Sequence, residues 1–390
     1  MKTFSMLHFP EREYQNRLKK IVSEMDRTGF DALILTSDEN TYYFSGFRSI
    51  VWDSKVSTPA TVIITKDGSI SLATSRNGSF TARATSIVED IRTYGKDGYP
   101  TYVEAIVSPL KERGLMGGKI GFEFDNGHKM HLNNRMTQDL FGELKNAARV
   151  DASEILWNVR SVKSELEIAI LRKGCDINVR SIIKGFKALE EGMTEMDLYG
   201  KIMAEYFLMG ADRALPLGIR AGAERYSQSN CPPSYRPIGR GDIILVDGGP
   251  IYRGYCSDII REAVIGKPTP HQQDVFNVAR EACYRGIEAV KPGEPVSTVS
   301  KAVDDFLDKS RYADLNVYKN WCGHGIGVGV HEFPMLDSTT TKLLEPGMAF
   351  AIEPYIYEPG VGSLGIEQNI LVTDEGCEVL TPLQDELIIL

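Results

Sequence analysis

The sequence predicts two domains: an α/β amino-terminal domain over residues 1–155, and an α+β domain over residues 156–390 whose halves repeat one another about a pseudo-twofold axis. Three observations carry this prediction. A chain of 390 residues with 42% apolar and 25% charged residues can bury two cores and has the balance of soluble globular proteins. Up to about Val150, helical and strand periodicities alternate. Beyond it the order helix, helix, strand, strand occurs twice. EEGMTEMD and KPGEPVST align at an offset of 101 residues (Gly192 to Gly293), and GDIILVD and GMAFAIE at 106 (Gly241 to Gly347).

Residues 11–27 space their apolar side chains as a helix does, and DALILT reads as a buried strand. TPATVIIT and SISLAT flank a KDG turn and form a hairpin. GKIGFEF and the amphipathic residues 135–146 complete the first domain. In the second domain Ser164 with Glu167, and Thr194 with Asp197, fit capping boxes that open helices. GDIILVDGG and GYCSDIIREAVIG follow as strands joined by a turn. Helices resume near 271–290 and 296–309, and GMAFAIEPYIY and GIEQNILV close the repeat as strands.

A formal charge of −9 and a pI near 5.4, with no basic run, argue against nucleic acid or an anionic membrane as partner. The first residues lack the apolar core of a signal peptide. No stretch reaches the ~20 apolar residues that span a bilayer, so a cytoplasmic location is expected. Six cysteines without CxxC spacing read as reduced thiols.

In the repeat frame Asp247 matches Glu353, each six residues after a glycine that opens a strand. Asp258 and Glu367 follow 11 and 14 residues later on the return strands. Any one of these acids alone could be a paired core residue or a turn former. Four from equivalent strands around one axis need a positive partner, because burying unpaired carboxylates is costly. Four carboxylates and one imidazole suit two divalent ions of the manganese, iron or cobalt type, with zinc possible, and two such ions can share a hydroxide nucleophile. The imidazole comes from WCGHGIGVGVHEFP. If this stretch is extended, the glycines at 323, 325, 327 and 329 leave one face bare. His324 and His331 are seven apart and cannot point the same way on one regular strand, so they do different jobs.

VDGGPIYRGYCSD, GHGIGVGVHEFP, AIEPYIY and GIEQN, in this order, resemble the pita-bread metalloenzymes: aminopeptidase P, prolidase, methionine aminopeptidase and creatinase. DALILTSDENTYYFSGF is similar to their amino-terminal domain. The resemblance implies that Asp247 chelates one ion, that His324 and Glu353 hold the other, and that Asp258 and Glu367 bridge both, with manganese as the expected metal. It implies that His331 faces the substrate as hydrogen-bond donor and proton relay, and that Glu353 or Glu367 handles the nucleophile's proton. A turn-stabilising role is the alternative for His331. The implied reaction is hydrolysis of a peptide C–N bond of Xaa-Pro type by metal-bound hydroxide. A homodimer is implied as well, with Arg48 and Trp52 as candidates for contact with the partner's site.

Two positions depart from the pattern of proline-specific members. Asn230 stands where they carry a second substrate histidine, and Gly365 where they carry an arginine. Asn230 can donate a hydrogen bond but relays no proton. Arg220, Arg225 and Arg236, with Tyr226 and Tyr235, lie in the loop-rich segment before Asp247. Arg220 and Tyr235 join Asn230 and His331 as candidate substrate residues, unless these are merely solvated side chains. The departures keep open a small non-peptide substrate (creatine-, ectoine- or sulfonium-propionate-like) and a non-catalytic binding protein.

Overall fold

The computed structural model describes residues 6–54, 58–225, 227–229 and 231–390. The chain divides into two units, residues 1–160 and 161–390. The first takes in the helix Ser153–Arg160, which packs on the helix Glu11–Thr28.

In the first unit six strands form one sheet in the order Asp90–Tyr94, Ile70–Ser75, Ala60–Thr65, Ala32–Leu35, Lys119–Phe122, Ala148–Asp151. The expected hairpin is present, Ala60 to Ile64 pairing antiparallel with Thr74 to Ile70. The remaining pairings outside Ala60–Thr65 are parallel, and the two between consecutive strands, Ile70–Ser75 with Asp90–Tyr94 and Lys119–Phe122 with Ala148–Asp151, return through a helix. Ala32, Ile34, Ile63 and Phe122 are fully buried against Ile106 and Leu110 of the helix Tyr102–Glu112.

The second unit is a pita-bread fold whose halves follow the same plan. Helices Glu165–Lys187 and Glu195–Leu208 pack together and back the strands Gly218–Ala221, Ile243–Gly248 and Ile259–Val264. Helices Pro270–Ala289 and Ser297–Leu307 likewise back Trp321–Gly325, Ala349–Ile352 and Gln368–Val372. Both expected capping boxes are formed, and a third opens the second half, where Thr269 and Gln272 exchange side-chain and backbone hydrogen bonds. The repeat persists at the level of register. Ile243–Gly248 runs antiparallel between Gly218–Ala221 and Ile259–Val264, as Ala349–Ile352 does between Trp321–Gly325 and Gln368–Val372.

WCGHGIGVGVHEFP is not one extended run. The strand Trp321–Gly325 ends, the chain turns, and Glu332–Asp337 returns antiparallel. The glycines therefore share no single bare face. A Cβ at Gly323, whose φ is +149°, would stand 2.0 Å from Ala351 O, so glycine is needed for close strand packing. A Cβ at Gly327 would stand 2.5 Å from Glu332 Oε2, so the turn closes around that carboxylate.

All six cysteines are free. Among the described residues, no helix is long and apolar enough to cross a membrane.

Candidate metal centre

Asp247 is the next-to-last residue of one central strand and Glu353 follows the other. Asp258 and Glu367 each lie just before a return strand, and His324 lies inside Trp321–Gly325. The backbone around these residues is clamped. Asn369 Oδ1 accepts from Asp258 N at 3.2 Å, and Asn369 Nδ2 donates to Asp258 O at 2.6 Å, joining the two return strands. Arg261, fully buried, donates to Glu367 O at 2.8 Å and to Gln368 Oε1 at 3.1 Å. Glu353 N donates to Cys322 O at 2.8 Å, tying Glu353 to the histidine strand.

The side chains converge. Ligand-type atoms of Asp247, Asp258 and Glu367 lie within 4.8 Å of one another, as do those of His324, Glu353 and Glu367, and those of Asp258, His324 and His331. Glu367 joins the first two groups. Their buried atoms lack protein partners: Asp258 Oδ1, both carboxylate oxygens of Glu367, and His324 Nε2 have no hydrogen bond. His324 Nε2 lies 3.0 Å from Glu353 Oε1 without the alignment of a hydrogen bond, which is how two donors facing a common cation sit. His324 Nδ1 is 2.9 Å from Gly325 O, so it carries the proton and leaves the Nε2 lone pair toward the acids.

Electrostatics say the same. Burial, then the charge of Glu353, pushes Asp247 up to about 6. Burial, then Asp247, pushes Asp258 up to about 8, and burial with Asp258 and Glu353 lifts Glu367 well above the carboxylate range. Burial alone would lower His324, but Glu353 and Asp258 raise it. Carboxylates that repel one another while lacking hydrogen-bond donors are an unfavourable core and a suitable cage for divalent cations. The donor set fits divalent metal ions.

His331 is exposed, and its ring centroid is 4.1 Å from that of His324 at an interplanar angle of 71°. Desolvation in the cleft, then the charge of His324, lowers its pKa. The next residue holds the turn. Glu332 Oε1 accepts from Gly329 N at 2.9 Å, and Glu332 Oε2 lies 3.3 Å from Lys163 Nζ with both side chains buried.

Asn230 and Tyr226 lie outside the described residues. Tyr235 is 79% exposed and makes no hydrogen bond or ring contact to this cluster among the described residues. Arg225 is bound to Glu195 and to two carbonyls, and Arg236 to Asp242 and Glu224; both hold the loop in place. Arg220 differs: it is 4% exposed and its Nη2 is 3.9 Å from Asp247 Oδ2. The sequence reading passed over the aromatic wall beside it. Tyr355 donates to Asp247 Oδ2 at 2.8 Å, and its ring contacts those of Tyr357 and Tyr318. The spacing of two in PYIY, just after Glu353, was the signal that both tyrosines share one strand face. In the first unit Arg48 donates to Met6 O at 2.7 Å and Trp52 packs edge-on to His131.

Residues 169–374 match the model for metallopeptidase family M24. The chain belongs to this family. Residues 17–162 match the creatinase/prolidase N-terminal domain. Membership in M24 makes the chain a metal-dependent hydrolase whose family works with divalent ions. A Staphylococcus aureus protein named as an uncharacterized peptidase is 29% identical over 372 residues, 94% of this chain and 98% of that one. The Xaa-Pro dipeptidase from Bacillus anthracis is 27% identical with a TM-score of 0.85, covering 97% of this chain and all of the other. The prolidase from Pyrococcus horikoshii is 26% identical with a TM-score of 0.80, covering 96% and 100%. These similar proteins span both units of the chain.

Proposed function

We propose that the chain is a dinuclear-metal hydrolase of the Xaa-Pro dipeptidase type, cleaving a C–N bond in a small peptide. The observation that supports this reading is the convergence of Asp247, Asp258, His324, Glu353 and Glu367, with unpartnered buried donor atoms and Glu367 common to two groups of ligands. The full-length likeness to a Xaa-Pro dipeptidase indicates the substrate class. An oxygen-rich set with one imidazole favours manganese-type ions.

In this reading Asp247, Asp258, His324, Glu353 and Glu367 would hold the divalent ions, with Glu367 common to two of the ligand groups. Bound divalent ions supply a water of lowered pKa and polarise the carbonyl. The protein does the rest. Glu353 or Glu367 takes the proton released by the attacking water. His331, outside the cage and held by the Glu332 turn, donates a hydrogen bond to the substrate and relays the proton to the leaving nitrogen. Tyr355 orients Asp247 through its hydroxyl. The chain acts as a homodimer in this reading, which the mass of the purified protein in solution tests.

A small non-peptide amide is the second reading, and Gly365 favours it. A Cβ there would meet Pro354 O at 2.9 Å and the Tyr355 ring at 3.1 Å, while Gly365 N donates to Glu262 Oε1 at 2.8 Å. The aromatic wall thus takes the space into which an arginine at 365 would start. The test is turnover by manganese-, cobalt- and zinc-loaded protein on Xaa-Pro dipeptides, Xaa-Pro tripeptides and small cyclic amides. Cleavage of the dipeptides supports the first reading. Cleavage of the cyclic amides alone refutes it.

A further inference from the structure

Arg220 and His324 occupy the same place in the two halves of the catalytic unit. Arg220 pairs with Leu245 in its sheet, and His324 pairs with Ala351 in the other. Leu245 and Ala351 are 106 residues apart, the offset that relates Gly241 to Gly347. Residues directly opposite in an antiparallel pair point to the same face, and Leu245 shares a face with Asp247 two residues on. Where one half aims an imidazole at the acids, the other aims a guanidinium.

That guanidinium is buried and incompletely used. Among the described residues Nη1 makes only long contacts, 3.4 Å to Tyr357 Oη and 3.5 Å to Gln228 O, and Nε and Nη2 have no hydrogen-bond partner. Among the described residues the one carboxylate in ion-pair range, Asp247, is 3.9 Å away and its Oδ2 already accepts from Tyr355. Glu262, buried nearby, makes no ion pair with it. The Tyr355 and Tyr357 ring centroids stand 5.7 and 5.9 Å from Cζ and wall the planar group. A desolvated guanidinium edge with free Nε–H and Nη–H donors matches a carboxylate in bidentate geometry, which an ammonium cannot supply.

We propose that Arg220 binds a carboxylate of the substrate at the Asp247 end of the site, opposite His331, so that the enzyme selects small amides carrying a free carboxylate close to the bond cleaved. Arg220 borders Asp247 and His331 borders His324, which leaves the reacting carbonyl between them over the shared acids. A dipeptide reaches Arg220 with its own terminus; a longer peptide presents an uncharged amide there.

The inference rests on the hydrolase reading, and its test separates the two. Manganese-loaded wild type, Arg220→Lys and Arg220→Gln are compared on Ala-Pro and Ala-Pro amide, with metal content measured for each. Wild type is expected to prefer the acid by about 10- to 100-fold in kcat/KM, carried by KM. Arg220→Gln brings the ratio near one, Arg220→Lys leaves an intermediate ratio, and metal content does not change. Independently of turnover, N-acetylproline should raise the melting temperature of the wild type more than N-acetylprolinamide does, and this difference should vanish in Arg220→Gln. No cleavage of either dipeptide would refute the hydrolase reading, while the thermal shift still decides the role of Arg220. Equal treatment of acid and amide by the wild type would overturn the proposal. So would a preference that survives Arg220→Gln, or loss of metal from both variants, which would make Arg220 a support for Asp247.

Discussion

Replacing Lys163 by methionine tests how the turn bearing His331 is held. Lys163 Nζ lies 3.3 Å from Glu332 Oε2, with side chains 2% and 1% exposed. At an effective dielectric of about 20 that separation corresponds to an attraction of about 5 kcal/mol. Removing one partner leaves the other charge buried, a change that costs about 3–5 kcal/mol in comparable pairs. Lys163→Met should therefore destabilise the catalytic unit by about 3–5 kcal/mol. Adding Glu332→Gln should recover much of the loss, because the amide oxygen still accepts from Gly329 N and no lone charge remains. Urea unfolding followed by tryptophan fluorescence reads both variants. Turnover reads the consequence for His331, whose neighbour is no longer anchored: kcat should fall in the single variant while bound metal stays. A cost below about 1 kcal/mol, or a double variant less stable than the single, would refute the argument, since the pair would then behave as a solvated surface bridge.

His331→Ala should lower kcat by about 10²- to 10⁴-fold at unchanged metal content; loss of metal, measured by atomic absorption, would make His331 a ligand. Gly323→Ala forces a Cβ to 2.0 Å from Ala351 O at φ +149°. It should cost about 2–4 kcal/mol in thermal or urea unfolding and weaken metal binding by displacing the histidine strand. In the metal-stripped protein Asp247 at about 6 and Asp258 at about 8 hold protons that the unfolded chain releases near pH 4. The folded state thus binds more protons between about pH 4 and 8, and stability should fall as pH rises through that window. Metal binds the deprotonated ligands, so the gain in melting temperature on loading should grow from pH 5 to pH 8. Parallel stripped and loaded profiles would show that these acids are not the ligands.

Local rules made much of this fold legible. A capping box spans four residues, so Ser164 with Glu167 and Thr194 with Asp197 could be read directly, and Thr269 with Gln272 was open to the same reading. The acids were legible for a different reason. A repeated helix, helix, strand, strand unit places equivalent positions around one axis, and matching offsets reveal them without any contact being known. The turn between the two histidines was not legible, because it depends on a contact between residues 169 positions apart, Lys163 and Glu332. Arg220 was legible as a candidate, but what sets it apart from Arg225 and Arg236 was not. Arg225 and Arg236 are engaged by Glu195, Glu224 and Asp242, and only the folded chain shows that Arg220 has no equally close partner among the described residues.

The two halves keep what a metal cage needs and differ in what a substrate meets. Asp247 and Glu353 are equivalent, and both halves bring a second acid from the return strand. At the shared register position of the flanking strand, one half places His324 and the other Arg220. An imidazole with a free lone pair adds a donor to one side of the cage, whereas a guanidinium has no lone pair to offer and stays cationic. A duplicated scaffold with identical side chains there would give two like metal positions and no polarity across the cleft. In the proposed reading, this difference makes one end of the cleft a ligand and the other an anchor for negative charge. It gives a symmetric backbone a direction in which to hold its substrate.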